Sequence, residues 1–124
     1  MADEAISVTT LTSGTVSADV RVTAEGGTTV SAGDTAVIDV GGDARNVIIS
    51  LYAASAATAT IQAGDDPPAK RAGLGAGTAQ TLPAGDALLL VLEGGRHVHD
   101  DGKVRIDIAT NDTVVGAHRI PDTV

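Results

Sequence analysis

The sequence predicts an all-β protein: a single-domain antiparallel β-sandwich of 8–10 short strands. Three observations carry this. Apolar and polar residues alternate with period two almost throughout, Gly- and Asp-rich turn formers interrupt the alternation at short intervals, and no segment gathers its apolar residues on one helical face. At 124 residues, one domain is the natural size. The sandwich is assigned to residues 14–124, preceded by an N-terminal arm or edge segment over 1–13. The pattern is compatible with a jelly-roll or an immunoglobulin-like strand order.

The strands follow in order. "TVSADVRVTA" sets Val16, Ala18, Val20 and Val22 on one face against Ser17, Asp19, Arg21 and Thr23 on the other. "DTAVIDV" and "NVIISLY" are rich in β-branched residues. "ATATIQA" alternates Ala57, Ala59, Ile61 and Ala63 with Thr58, Thr60 and Gln62. "ALLLVL", Ala87 to Leu92, is apolar on both faces and is expected either at a sheet centre or beneath a partner. "KVRIDIAT" alternates Val104, Ile106 and Ile108 with Lys103, Arg105 and Asp107, and "TVVGAHRI" closes the set. The separators are "SG" at 13–14, "EGG" at 25–27, "GGD" at 41–43, "EGG" at 93–95 and "DDG" at 100–102. "TVSAGDTAVIDVGG" and "TLPAGDALLLVLEG" echo each other, as a duplicated half-sandwich or, more simply, as two similar hairpin turns.

Composition narrows the function. Val, Ile and Leu supply 14, 8 and 8 residues, enough for a core, but there is no Phe or Trp and one Tyr. Aromatics normally bury the largest areas, so this interior is lean, and oligomerisation or docking is expected to add stability. The net charge of −8 opposes nucleic-acid binding, which rests on neutralising phosphates. Without cysteine there are no disulfides or thiolate metal sites. "MADEAISVTT" lacks the basic and apolar regions of a secretory signal, and no apolar run reaches membrane-spanning length.

Several motifs were weighed as sites. His97 and His99, spaced i, i+2 with Asp101 continuing the face, have the geometry of strand-borne metal ligands, against the simpler reading of a polar strand edge. Asp65-Asp66 and Asp100-Asp101 offer oxygen ligands but lack calcium-loop spacing, and Asp before Pro or Gly is ordinary turn chemistry. "GLGAGT" matches neither phosphate-loop form and no helix follows it. Asn111-Asp112-Thr113 matches a glycosylation triplet. A sugar site would need aromatic platforms, and Tyr52 stands alone. There is no nucleophile elbow, and the expectation is a non-enzyme with no catalytic residue, metal or cofactor. The loop "AGDDPPAKRAG" remains. Pro67 and Pro68 lower the entropy lost on docking, Lys70 and Arg71 place two of the chain's eight cations together, and Asp65 and Asp66 restrain the base. These six residues are the expected contact set.

"ATIQAGDDPPAKRAGLG", "TLPAGDALLLVLEGGRHVHDDGKVRIDIA" and the closing "GAHRIP" together resemble a family of small phage virion proteins, the capsid decoration or cement proteins. The resemblance spans Thr58 to Pro121, about half the chain, and includes the Pro-Pro loop and the "RHVHDDG" turn. It implies a β-sandwich, made in the host cytoplasm, that clips onto the capsid exterior, contacts the major capsid protein and stabilises the shell, commonly as a homotrimer. Neither nucleic acid nor membrane is implied as a partner. Two alternatives stand beside it: another virion part, such as a head-fibre base or tail accessory, and a host-surface or glycan-binding β-sandwich.

Overall fold

A computed structural model describes residues 2–11, 27–42, 46–64, 78–91 and 97–120. Its regular structure is nearly all β. The ten strands are β1 (Asp3–Ile6), β2 (Val8–Thr10), β3 (Thr28–Val30), β4 (Thr35–Asp39), β5 (Val47–Tyr52), β6 (Ala57–Ile61), β7 (Thr78–Leu82), β8 (Ala87–Val91), β9 (Lys103–Ala109) and β10 (Thr113–Arg119). They form two sheets. Sheet I runs β1-β4-β9-β6-β7; sheet II runs β2-β10-β5-β8, with β3 also on β10. The expected run over 15–24 lies outside the described residues.

Both sheets are mixed rather than purely antiparallel. β1 is parallel to β4 and β2 is parallel to β10, while the other pairs are antiparallel. The long stretches of chain separating these parallel partners supply the reason, since only a short hairpin forces the antiparallel direction. Residues 2–11 therefore contribute an edge strand, among the described strands, to each sheet, stepping from one to the other at Ser7.

The alternation does what period two requires. Ala36 and Ile38 of β4, Ala57, Ala59 and Ile61 of β6, and Val104, Ile106 and Ile108 of β9 all face inward and are buried. They meet Val47, Ile49 and Leu51 of β5 and Val115 and Ala117 of β10 from the other sheet. The buried hydrophobic residues are all aliphatic, joined by a few buried polar ones such as Thr113. Each fully buried Ile or Leu contributes roughly 1.5–3 kcal/mol, so cohesion is spread over many small side chains.

The two "AGD" segments adopt the same turn. Asp34 N–H donates to Ser31 O at 3.0 Å and Asp86 N–H donates to Pro83 O at 3.3 Å. Gly33 and Gly85 sit at the third turn position with φ of 92° and 77°, where a Cβ would be strained. These are corner turns rather than hairpins: β3 to β4 passes from sheet II to sheet I, and β7 to β8 passes from sheet I to sheet II.

Candidate functional site: the uncharged side of sheet II

Strand register decides which side chains share the outside of each sheet. On sheet II, Val47, Ile49 and Leu51 point inward, so Ile48, Ser50 and Tyr52 point outward. Pairing then sets Ile48 between His118 and Val91, Ser50 between Gly116 and Leu89, and Tyr52 between Val114 and Ala87. Beyond β10, Thr9 lies beside His118 and Thr29 beside Val114. No Asp, Glu, Lys or Arg occupies an outward position on these strands.

The outward side of sheet I is different. Thr35 lies opposite Asp107, Val37 opposite Arg105 and Asp39 opposite Lys103, with Asp3 beside Thr35. Thr58, Thr60 and Thr81 continue it over β6 and β7. Several of its groups are bound to one another. Thr35 Oγ1 donates to Asp107 Oδ1 at 2.7 Å and Gln62 Nε2 donates to the same oxygen at 2.8 Å, so one carboxylate of β9 ties β4 to the end of β6. Arg105 pairs with Asp101, which holds the Asp101 carboxyl down at about 2.

The large exposed aliphatics of the described chain are Leu89, Val91 and Ile120, with 66%, 70% and 43% of their surface open. All three lie on the outer side of sheet II. Leu89 and Val91 alternate outward on β8, and Ile120 continues the parity of His118 where its N–H donates to Asn46 O. Scattered apolar residues on a surface are ordinary; Leu89 and Val91 are neighbours on β8, and Ile120 lies two strands away on the same side.

β8 is also an edge. It pairs with β5, and no described strand covers its other side. Among the described strands, "ALLLV" is thus at an edge rather than the sheet centre. Leu88 and Leu90 turn half-buried toward the core while Leu89 and Val91 face out. Between β8 and β7, Leu51, Leu82, Leu88, Leu89 and Leu90 together with Gln80 line a seam of about 250 Å³. A second notch, about 240 Å³, opens at Gly116, where β2 ends its pairing with β10 and β3 begins. It is lined largely by small residues, among them Ala5, Ser7 and Gly27.

The sequence-predicted sites fare differently from one another. Asp65, Asp66, Pro67, Pro68, Lys70 and Arg71, like "GLGAGT", lie outside the described residues. Gly64, at the base of that loop, is buried against the backbone of Val98, where a Cβ would collide with the Val98 carbonyl oxygen. His97 and His99 are not on a strand. They precede β9, where His99 N–H donates to Lys103 O and Gly102 N–H donates to His99 O, closing the turn. Asp101 turns to Arg105 instead of joining them. Among the described residues no three of His, Cys, Asp and Glu converge as metal ligands. The Asn111 amide donates to Ala56 O at 2.7 Å, and Thr113 is fully buried, so the glycosylation triplet is engaged within the fold. Tyr52 is half-buried on the outward side of β5. Among the described residues, no helix is long and apolar enough to cross a membrane.

Sequence reasoning passed over Leu89, Val91 and Ile120 as a set. The signal for the first two was present in a strand apolar on both faces; Ile120 gave none, because only register brings it alongside. Comparison with family models, with curated proteins and with solved structures finds no match to this chain.

Proposed function

We propose that the protein is a non-enzymatic capsid decoration protein that docks its uncharged sheet II side on a larger protein shell and stabilises that shell. The observation that supports this reading is that Leu89, Val91 and Ile120 share the side whose described outward strand positions carry no Asp, Glu, Lys or Arg, in a chain of net charge −8. Interface centres are depleted of charge, whereas the charged rest of the surface keeps the body soluble. The lean aliphatic interior and the resemblance of the second half to virion decoration proteins point the same way. Each single contact is modest, and repetition over a lattice multiplies it.

The test is binding of the purified chain to capsids assembled without it, read by co-sedimentation. The reading expects saturable binding at hundreds of copies per particle and a raised temperature of capsid disruption. Ile120→Asp, which places a charge on that side but away from β8, is expected to weaken binding at least tenfold while melting like the parent. No binding to capsids, or a few copies at one vertex or on a tail, would reject the decoration role.

A further inference from the structure

We infer that the edge of β8 that no described strand covers pairs with β8 of a second copy of this chain, antiparallel about a twofold axis near Leu89. The inference concerns the protein alone and stands apart from whether a capsid is its partner. Three observations lead to it.

First, β8 leaves one side of its backbone without a described strand, and an edge of this kind is a template for further pairing. Proteins usually blunt such edges with Lys, Pro or inward charge, and Ala87–Val91 contains none of these.

Second, a strand seated here must be apolar on both faces. Its inward residues extend the seam lined by Leu51, Leu82, Leu88 and Leu90, and its outward residues continue Leu89 and Val91. Among the described edge strands, β1 (DEAI), β2 (VTT), β3 (TTV) and β7 (TAQTL) fail that requirement, and β8 meets it. With Leu89 on the axis, Leu88 of each copy lies beside Leu90 of the other, so each seam is closed by its symmetry mate.

Third, charge selects the approach. Two copies of net charge −8 repel, and β8 lets them meet without opposing any ionisable side chain of the strand itself. Antiparallel pairing of identical strands is isologous and closes at two copies, unlike the threefold arrangement that the family resemblance implies. The paired sheets would form one continuous layer with the Leu89 and Val91 patches at its centre.

The chain has no cysteine, which makes the test direct. Paired strands hold opposed Cα atoms about 4.5–5.5 Å apart, inside the disulfide range. The expected results are a solution mass of twice 12.3 kDa for the parent by light scattering, a monomer for Leu89→Lys with unchanged circular dichroism, and rapid disulfide-linked dimer for Leu89→Cys under mild oxidation. Ala109→Cys, exposed on the sheet I side, should stay uncrosslinked under the same conditions. A monomeric parent at all concentrations would overturn the inference, as would a trimeric mass. So would a dimer in which Leu89→Cys links no faster than Ala109→Cys. If Leu89→Lys fails to fold, the crosslinking pair decides alone.

Discussion

The two outer sides of this sandwich are built from the same alternating strands and put to opposite use. On sheet I many outward residues are charged or hydroxylated and several satisfy each other: Asp107 accepts from Thr35 and Gln62, and Asp101 pairs with Arg105. On sheet II the outward residues are Ile48, Tyr52, Leu89, Val91 and Val114 with small or neutral neighbours, and the most exposed of them do little for the isolated fold. Polar groups bound to one another in this way have spent part of their bonding capacity on the fold. A side with exposed aliphatic surface retains a driving force for association.

That contrast can be broken or sharpened by substitution. The largest effect belongs to the layer common to both sides. Ile106→Ala, at a fully buried β9 position, should cost about 2–5 kcal/mol, measured as a loss in urea-unfolding free energy. A smaller loss would mean that the aliphatic interior collapses around the cavity.

Next comes the clasp on sheet I. Asp107→Ala strips the acceptor from buried Thr35 and half-buried Gln62 and should destabilise by about 1–3 kcal/mol. On sheet II, Leu89→Ala should lie within about 0.5 kcal/mol of the parent when measured on the monomer. Equal costs for the two changes would erase the distinction between a bound side and an idle one.

A gain is expected where the chain passes between the sheets. Thr110 joins β9 to β10 with φ of 80°, a left-handed conformation unfavourable for a β-branched residue. Thr110→Gly relieves this but adds freedom to the unfolded chain, so the net stabilisation should be at most about 1 kcal/mol, seen as a small rise in Tm.

The smallest effect is the pH dependence of the Asp101–Arg105 pair on the sheet I side. Its pairing lowers the folded-state pKa of Asp101 from 3.8 to about 2. The contribution is therefore fully present above the unfolded value and is lost as pH falls through the folded one. Asp101→Asn should be less stable than the parent at pH 6, and the gap between their urea midpoints should close as pH approaches 2. A gap independent of pH would show that the pair does not act through ionisation. Its exposure to solvent keeps the effect minor.

Much of this architecture was legible locally. "KVRIDIA" and "ATATI" announce which residues face the core, because side chains on a strand alternate whatever the strand is paired to. The corner turns were marked by Gly33 and Gly85, since those turns need positive φ. The N-terminal segment was less legible: Asp3–Ile6 shows no alternation strong enough to identify its neighbour, and it becomes a strand by laying itself along β4. The histidine pair was placed on a strand by its spacing, yet the turn hydrogen bonds at His99 hold it ahead of β9.

The amino-acid order by itself determined the strand faces, the lean aliphatic interior and the acidic balance, since each depends on residue type and on neighbours one or two positions away. Only the tertiary structure decided that "ALLLV" is an edge among the described strands and that Ile120 shares a side with Leu89 and Val91. The physical reason is that which strand lies beside which is a long-range choice, made by the packing of both sheets at once. An alternating pattern says where a side chain points and is silent about what, if anything, lies next to it.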